Sequence, residues 1–239
     1  MEPLASKIKP KAFTFQAAEE TLSGSKFVKD EQKPTLLFLH GAGQSSSQRT
    51  YYLMQRLLEE GVSSIGFDFS GSGESSGRFK ESSLKKRVEE ARLAMSFLNL
   101  EKPISICGSS MGAYAAIKLL ESFDIKNLIL FCPAVYDKRA YNLKFAGSFS
   151  DIIRKDQSWR NSDAFEILKT FKGRLLVFIG SNDEIIPEGV IDLITSASTH
   201  AAGKEIVKIP GAPHALHRWL SQNATITDQV VGKIAKLVT

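Results

Sequence analysis

Short, continuous apolar segments alternate with longer amphipathic stretches through most of this chain. The apolar segments 35–39, 127–132 and 175–180 are typical of strands buried on both faces of a sheet. Between such segments, residues 84–98 repeat apolar side chains at intervals of three and four, which indicates a helix. The alternation therefore predicts a three-layer α/β fold, with a mostly parallel sheet and helices on both faces.

The remaining segments complete an eight-stranded sheet. Residues 12–28 alternate loosely and contain no helical pattern, so we expect an antiparallel hairpin at the sheet edge. The other expected strands are 64–69, 103–108 and 204–209, and the other expected helices are 48–60, 111–122, 187–198 and 215–237, the last as one or two helices.

The 239 residues, of which 43% are hydrophobic, suffice for one domain with a sizeable core, so we predict a single domain over 1–239. Roughly forty residues separate the strand that ends near Cys132 from the strand that begins near Leu175. This exceeds an ordinary connection and is rich in aromatic residues. We expect a short cap-like insertion at about 136–160, with a role in substrate access or as packed surface helices.

The net charge of +5 raises the question of an anionic partner. The densest basic clusters are Lys7, Lys9 and Lys11 at the start and Lys85, Lys86 and Arg87 on a predicted helix. Neither cluster is interleaved with aromatic residues, as a single-strand binder requires. We therefore predict solvated basic faces and no nucleic-acid partner.

The start of the chain is polar and has no apolar core like that of a secretory signal, and no segment approaches eighteen apolar residues. Cys107 and Cys132 lie in apolar runs, without CxxC spacing or a nearby histidine in sequence, and are predicted to be buried reduced thiols. These features predict a cytoplasmic protein without an integral membrane segment, and they carry no signal for an oligomeric state.

The strongest motif is Gly-Ser-Ser-Met-Gly at 108–112, a match to G-x-S-x-G. It joins an apolar strand to a helical pattern, which is the setting in which this motif exposes a nucleophilic serine. The flanking glycines permit the sharp turn, and the helix N-terminus favours a developing negative charge. Ser110 is therefore the predicted nucleophile, whereas Ser109 falls at the x position.

A serine nucleophile needs a general base, and the chain has four histidines. His40 lies in a glycine-rich turn, His200 is expected to close a helix, and His217 is expected on a helix surface. His214 follows glycine, alanine and proline on the loop after the last predicted strand. It is the predicted base, with His217 as the alternative.

The base in turn needs a carboxylate that orients it. Asp183 follows a predicted strand, at the carboxyl edge where open α/β sheets gather their active sites. The order Ser110, Asp183, His214 is the order used by one large class of serine hydrolases. Asp137 and Glu184 are alternatives, and Asp183 could instead cap a turn.

An acyl-transfer site also needs donors for the oxyanion. One is expected to be the backbone N–H of Met111, the residue after the nucleophile. The other is expected from the His-Gly-Ala-Gly turn at 40–43, where the glycines let the backbone turn inward and Ala42 is the chosen donor.

Together these motifs resemble the α/β-hydrolase superfamily, over about residues 12–237. The segments that carry the resemblance are 39–43, 67–75, 108–112, 180–183 and 213–214. It is closest to small esterases, thioesterases and serine-aminopeptidase-like hydrolases with little or no cap. The resemblance implies a structural, non-catalytic role for Asp68 and for residues 71–73 in a loop beside the site.

The expected activity is hydrolysis of a carboxylic ester or thioester of small-molecule size through an acyl-enzyme, without a metal or organic cofactor. The same triad could cleave an amide or peptide bond. A peptidase would depend on a substantial cap to bind the substrate amine, and here the cap is reduced to the forty-residue stretch. A non-catalytic binding module on the same fold is the third alternative.

Overall fold

The computed structural model describes residues 9–29 and 32–239. Its strands are β1 Lys11–Ala17, β2 Glu20–Phe27, β3 Leu36–Leu39, β4 Ser64–Phe67, β5 Ile104–Ser109, β6 Ile125–Phe131, β7 Arg174–Asn182 and β8 Gly203–Pro213. Its α-helices are α1 Tyr51–Glu59, α2 Leu84–Leu98, α3 Met111–Leu119, α4 Ser148–Ile153, α5 Ala164–Thr170, α6 Glu188–Ala197, α7 Leu216–Leu220 and α8 Ala224–Val238. Lys7 and the polar start of the chain lie outside the described residues.

All eight strands form one sheet in the order β1-β2-β4-β3-β5-β6-β7-β8. The β1–β2 hairpin is antiparallel and sits at one edge, and β3 to β8 pair in parallel. The predicted three-layer, mostly parallel, eight-stranded sheet is therefore confirmed. The parallel strands all end at the same edge of the sheet, where their connections converge.

Two hydrophobic cores lie on opposite faces of this sheet. In β3, Leu37 and Leu39 pack into one core, whereas Leu36 and Phe38 pack into the other, as the two-residue period of a strand requires. The first core is covered by α2, α3, α5 and α6, and the second by α1, α7 and α8. Because both faces of the sheet are covered by helices, the sequences of the parallel strands are continuous apolar runs.

The strands β7 and β8 are longer than the sequence pattern predicts. Sequence reasoning ended them at 180 and 209, but pairing continues through a register shift to the pair Asn182 and Pro213. Gly211 has a φ of +72°, in the left-handed region that favours glycine, and its N–H donates to the Ser181 hydroxyl at 2.7 Å. This irregular extension carries both strands further toward the convergent edge.

The connection between β6 and β7 holds α4, α5 and two short 3₁₀ turns at Lys138–Ala140 and Ser158–Asn161. Phe145 and Phe149 from this connection are buried in the first core. The cap-like role of 136–160 stays a prediction. None of the helices in residues 9–29 and 32–239 combines the length and apolar character of a membrane span.

A cavity at the centre of the sheet core should lower the free energy of unfolding. Leu128 in β6 is fully buried, so Leu128→Ala should lower the free energy of unfolding by about 3 kcal/mol. Leu93→Ala is the matched control, because Leu93 on α2 is 45% exposed and its change should cost less than about 0.5 kcal/mol. Urea unfolding monitored by circular dichroism measures both, and equal losses would contradict the assignment of the core.

Candidate active site

Ser110 lies in a strained turn between β5 and α3. Its φ is +50°, in the region that side chains other than glycine rarely adopt. The turn is held from β6, because the Ser110 N–H donates to the Phe131 carbonyl at 2.9 Å. The Ser110 carbonyl accepts from the Ala134 N–H at 3.2 Å. These bonds fix the hydroxyl above the carboxyl edge of the sheet.

The two flanking glycines are required by close backbone contacts. A Cβ on Gly112 would lie 2.2 Å from the Leu39 carbonyl oxygen, and a Cβ on Gly108 would lie 2.6 Å from the Ala113 Cα. Both partners are backbone atoms, so neither side chain could be accommodated by a rotamer change. The G-x-S-x-G pattern thus has a steric cause at both of its glycines.

His214 and Asp183 complete a hydrogen-bonded chain with Ser110. His214 Nε2 lies 3.1 Å from Ser110 Oγ, and His214 Nδ1 lies 2.9 Å from Asp183 Oδ2. Asp183 follows β7 and His214 follows β8, so the irregular strand extension delivers the two side chains to adjacent positions. The structure brings the three predicted residues together in the predicted order.

The Asp183 carboxylate is held by more than the histidine. Its Oδ1 accepts from the backbone N–H groups of Ile185 at 2.9 Å and Ile186 at 3.1 Å. Burial raises the pKa of Asp183, but the hydrogen bonds from His214 and from these two amides outweigh it, and the pKa lies below its ordinary value. The carboxylate therefore stays ionised beside the imidazole at neutral pH.

The two alternative acids are placed elsewhere. Asp137 is buried and bonds the Arg139 guanidinium and the Asn161 amide, and the pKa of its carboxyl falls to about 2, chiefly through the Arg139 hydrogen bonds. Glu184 is exposed. Only Asp183 among these acids contacts His214.

The peptide unit between Gly41 and Ala42 is clamped by its carbonyl. The Gly41 oxygen accepts from Arg87 Nη1 at 3.1 Å and from His40 Nδ1 at 2.7 Å. His40 Nε2 in turn accepts the Phe69 N–H at 3.0 Å, which fixes the proton of His40 on Nδ1. Because a trans peptide points its N–H opposite to its C=O, holding the carbonyl fixes the direction of the Ala42 N–H.

The Ala42 and Met111 amides are the predicted oxyanion donors. Within residues 9–29 and 32–239, neither amide donates a backbone hydrogen bond to another protein group. Ala42 and Ser110 line the same cavity, and Gly41 packs directly on the serine, since a Cβ there would lie 3.3 Å from Ser110 Cβ. Both amides are thus free to act as donors beside the serine.

Arg87 does not belong to the solvated basic face that the cluster Lys85, Lys86 and Arg87 predicted. Its side chain is 1% exposed and lies over the rings of Phe69, Phe79 and Phe145, at 4.6, 5.5 and 5.4 Å from their centroids. Burial lowers the pKa of Arg87 to about 10, so the guanidinium remains charged at neutral pH. The aromatic rings and the Gly41 carbonyl replace the water that a surface arginine would have.

His217 also differs from its prediction as a helix-surface residue. Its ring packs on Phe131 at 4.5 Å between centroids, and its Nε2 and Nδ1 lie 2.6 Å from Ser109 Oγ and 3.1 Å from Tyr52 OH. Burial, with the nearby charge of Arg49, lowers the pKa of His217 to about 4. Ser109 and His217 therefore form a second serine–histidine pair, but one without a carboxylate and with a weakly basic imidazole.

The other two histidines, His40 and His200, are hydrogen-bonded to backbone groups. Burial and the charge of Arg87 lower the pKa of His40 to about 3, in keeping with its place in the carbonyl clamp. His200 lies beyond the end of α6, not at its close, and its Nδ1 donates to the Lys169 carbonyl at 2.6 Å. Neither histidine contacts Ser110.

Two cavities meet at Ser110. The small cavity, of about 180 Å³, is lined by Ala42, Arg49, Ser110, His214, His217 and Arg218 among others. The large cavity, of about 380 Å³, lies beneath the connection between β6 and β7 and is lined by Ser110, Val135, Tyr136, Ile153, Trp159 and Ile186 among others. His214 lines only the small cavity.

Cys107 and Cys132 are buried free thiols, as predicted. Burial raises the pKa of both thiols. Sequence reasoning did not place Cys132 near a histidine, but its sulfur and one ligand atom each of Asp183 and His214 lie within 4.8 Å of one another. Since Asp183 and His214 are already hydrogen-bonded to each other, this group fits the chemistry of a triad with a neighbouring thiol.

The Asp68 loop has the structural role that the family resemblance implies. Its carboxylate accepts from the Ser47 N–H at 2.6 Å and the Glu74 N–H at 3.0 Å. A Cβ on Gly73 would lie 1.9 Å from the Asp68 carboxylate, so this position must be glycine. Asp68 thereby ties the loop after β4 to the segment that precedes α1.

Comparison with known proteins places this chain in a family. A family model described as serine aminopeptidase, S33, matches residues 30–158, more than half of the chain. No curated protein matches the chain significantly.

Many solved structures share the fold. The protein Est1E from Butyrivibrio proteoclasticus, solved with ferulic acid bound, is 19% identical with a TM-score of 0.73, and the match covers 95% of this chain and 99% of Est1E. The Pyrococcus furiosus esterase Pf2001 is 20% identical with a TM-score of 0.71, covering 97% and 93%. A thioesterase domain from the curacin biosynthetic pathway is 16% identical with a TM-score of 0.71, covering 94% and 100%.

Two neutral histidines, the buried His40 and the partly buried His217, predict an acid-sensitive fold. Below pH 6.5 the unfolded chain protonates both imidazoles while the folded chain does not, so the free energy of unfolding should fall as pH drops toward 4. Each histidine should contribute a slope of about 1.4 kcal/mol per pH unit. His217→Gln should remove one such contribution.

Urea unfolding at pH 7, 6 and 5 measures these slopes. His200→Gln is the matched control, because His200 is exposed and its loss should leave the slope unchanged. A wild-type slope that matches that of His217→Gln would contradict the neutral state of His217.

Proposed function

Because this chain belongs to the serine aminopeptidase S33 family of the α/β-hydrolase superfamily, we propose that it is a serine hydrolase that cleaves a carboxylic ester or thioester. The observation that carries the proposal is the hydrogen-bonded chain from Ser110 through His214 to Asp183, with distances of 3.1 and 2.9 Å. The Pf2001 esterase and the thioesterase domain with the same fold support this bond class.

In the proposed reaction, His214 Nε2 takes the Ser110 proton as the Ser110 oxygen attacks the acyl carbonyl. The proton of His214 Nδ1 remains hydrogen-bonded to Asp183, whose negative charge stabilises the imidazolium that forms. The oxyanion of the tetrahedral intermediate accepts hydrogen bonds from the Met111 and Ala42 amides. The clamp on the Gly41 carbonyl preorganises the second of these donors.

The two cavities receive the two halves of the substrate. The leaving oxygen or sulfur takes its proton from His214, so the leaving group must lie on the side of Ser110 that His214 lines, in the small cavity. The acyl group then occupies the large cavity, whose walls include Val135, Tyr136 and Ile186. A water that loses its proton to His214 hydrolyses the acyl-enzyme and frees Ser110.

Hydrolysis of an amide is the second candidate, and the description of the matched family favours it. The triad itself does not select the leaving group. The small connection between β6 and β7 offers few carboxylates for a substrate amine, since the large cavity is lined by one acid, Asp156, together with Arg154 and Lys155. The ester or thioester therefore remains the preferred substrate class, ahead of a binding role without turnover.

Ser110→Ala tests the nucleophile. It should lower hydrolysis of a butyryl ester and a butyryl thioester by at least about a thousandfold and abolish covalent labelling by a fluorophosphonate. Peptide mass spectrometry should find the wild-type adduct on Ser110. A butyryl anilide should be cleaved more slowly than either, and dominant anilide cleavage would favour the amide candidate.

Ser109→Ala is the matched control for this experiment, because Ser109 is adjacent and has its own histidine. The adduct should stay on Ser110 in this variant. Loss of labelling in Ser109→Ala with retention in Ser110→Ala would reverse the assignment of the nucleophile.

Arg87→Met tests the clamp on the oxyanion loop. Methionine can pack among the three phenylalanine rings but cannot bond the Gly41 carbonyl, so the Ala42 N–H should lose part of its fixed direction. We expect kcat to fall about tenfold or more with little change in KM, because the interaction acts on the transition state.

Lys86→Met is the control for Arg87→Met, because Lys86 is the adjacent residue and its partly buried side chain bonds Glu20 and not the Gly41 carbonyl. Its kcat should match that of the wild type. Equal kcat values for Arg87→Met and the wild type would contradict a positioning role for Arg87.

A further inference from the structure

The small cavity is positively charged at its wall. Its lining includes Arg49 and Arg218, both exposed, and contains no aspartate or glutamate. Within the described residues neither arginine forms an ion pair, and the Arg49 guanidinium donates to the Gln44 carbonyl at 2.7 Å. Two guanidinium groups without a carboxylate partner thus border the cavity that also holds Ser110 and His214.

The serine and histidine pairs of the small cavity, Ser109 with His217 and Ser110 with His214, are hydrogen-bonded to each other. Both nitrogens of His217 have partners in Ser109 and Tyr52, and His217 is neutral at physiological pH. The positive potential of the cavity therefore arises from Arg49 and Arg218. An anion there would gain charge-assisted hydrogen bonds without competing with a protein carboxylate.

The large cavity is different in charge. Arg154 and Lys155 also line it, but so does Asp156, which offsets one of their two charges. Most of the other lining residues are aromatic or aliphatic, among them Tyr136, Trp159 and Ile186. An uncharged acyl group fits this surrounding better than an anion does. The two cavities thus differ in the charge of the substrate half that each can bind.

We propose that the leaving group of the natural substrate carries a phosphate or carboxylate that binds Arg49 and Arg218 in the small cavity. This inference rests on the proposed function, because His214 must protonate the leaving group on this side of Ser110. The small cavity has less than half the volume of the large one, so the anion lies within a few bonds of the leaving oxygen or sulfur.

Matched butyryl esters test the inference. One pair is the ester of glycerol and the ester of glycerol 3-phosphate; the other is the ester of methyl 3-hydroxypropanoate and that of 3-hydroxypropanoate. At low ionic strength the anionic member of at least one pair should have a kcat/KM at least about fivefold higher. The pair with the larger ratio distinguishes phosphate from carboxylate. Salt at about 0.5 M should reduce this ratio.

The double variant Arg49→Gln, Arg218→Gln should bring the ratio close to one, whereas Arg49→Lys, Arg218→Lys should keep most of it. The control is Lys126→Gln, Lys172→Gln, which removes two exposed charges from a cavity at the opposite end of β6 and β7. Its ratio should equal that of the wild type, because the removed charges are distant from Ser110.

The failures of the inference and of the proposed function differ. If neutral and anionic esters are cleaved equally and Ser110→Ala abolishes both activities, the inference is wrong and the proposed function stands. The inference is also wrong if the ratio survives in the double glutamine variant, or if an anion on the acyl side, as in methyl hydrogen succinate, is preferred instead. If no ester or thioester is cleaved, both are wrong.

Discussion

The turn from β5 into α3 is the constraint on which the site depends, because the helix begins two residues after the strand ends. The chain can reverse so abruptly only where Gly112 presses on the backbone of Leu39 and His40 and where Gly108 presses on α3. The positive φ of Ser110 costs about 1–3 kcal/mol, which its hydrogen bonds to β6 help to offset. Ser110 and the loop that follows β3 are therefore packed as one unit.

That packing gives a reason for a buried arginine. Removing Arg87 from water is costly, and replacing a buried charge by an apolar side chain is often neutral or stabilising. Stability alone is thus a weak explanation for Arg87. Its hydrogen bond to the Gly41 carbonyl, shared with the neutral His40, gives a better one, since it fixes the direction of the next N–H beside Ser110.

The sequence predicts the strands and the elbow well because each has a strong local cause. A strand buried on both faces is a continuous apolar run, and the elbow needs glycines at two fixed positions. The extensions of β7 and β8 were missed because Ser181, Asn182 and Gly211 are not typical strand residues. They pair only because the neighbouring strand is already in place, which no local pattern encodes.

Arg87 and His217 show a different limit of prediction from the sequence, because both were expected at the surface. Position 87 lies three residues after Leu84 and four before Ala91, so its spacing already indicated the buried face of α2. The charge of the side chain concealed this, because arginine is usually found at the surface. The His217 ring is partly covered by the ring of Phe131. Phe131 is distant in sequence and becomes a neighbour only through the fold.

The surroundings of His217 and His214 also distinguish the two adjacent serines. Ser109 and Ser110 each have a histidine within hydrogen-bond distance, so proximity alone does not choose between them. The second nitrogen of His214 faces the Asp183 carboxylate, which is ionised at neutral pH. His217 has a phenol in that place, lies near Arg49 and holds its proton weakly. A carboxylate thus faces the histidine beside Ser110, whereas a phenol and an arginine charge surround the histidine beside Ser109, and this difference favours the predicted pair of Ser110 and His214 over its neighbour.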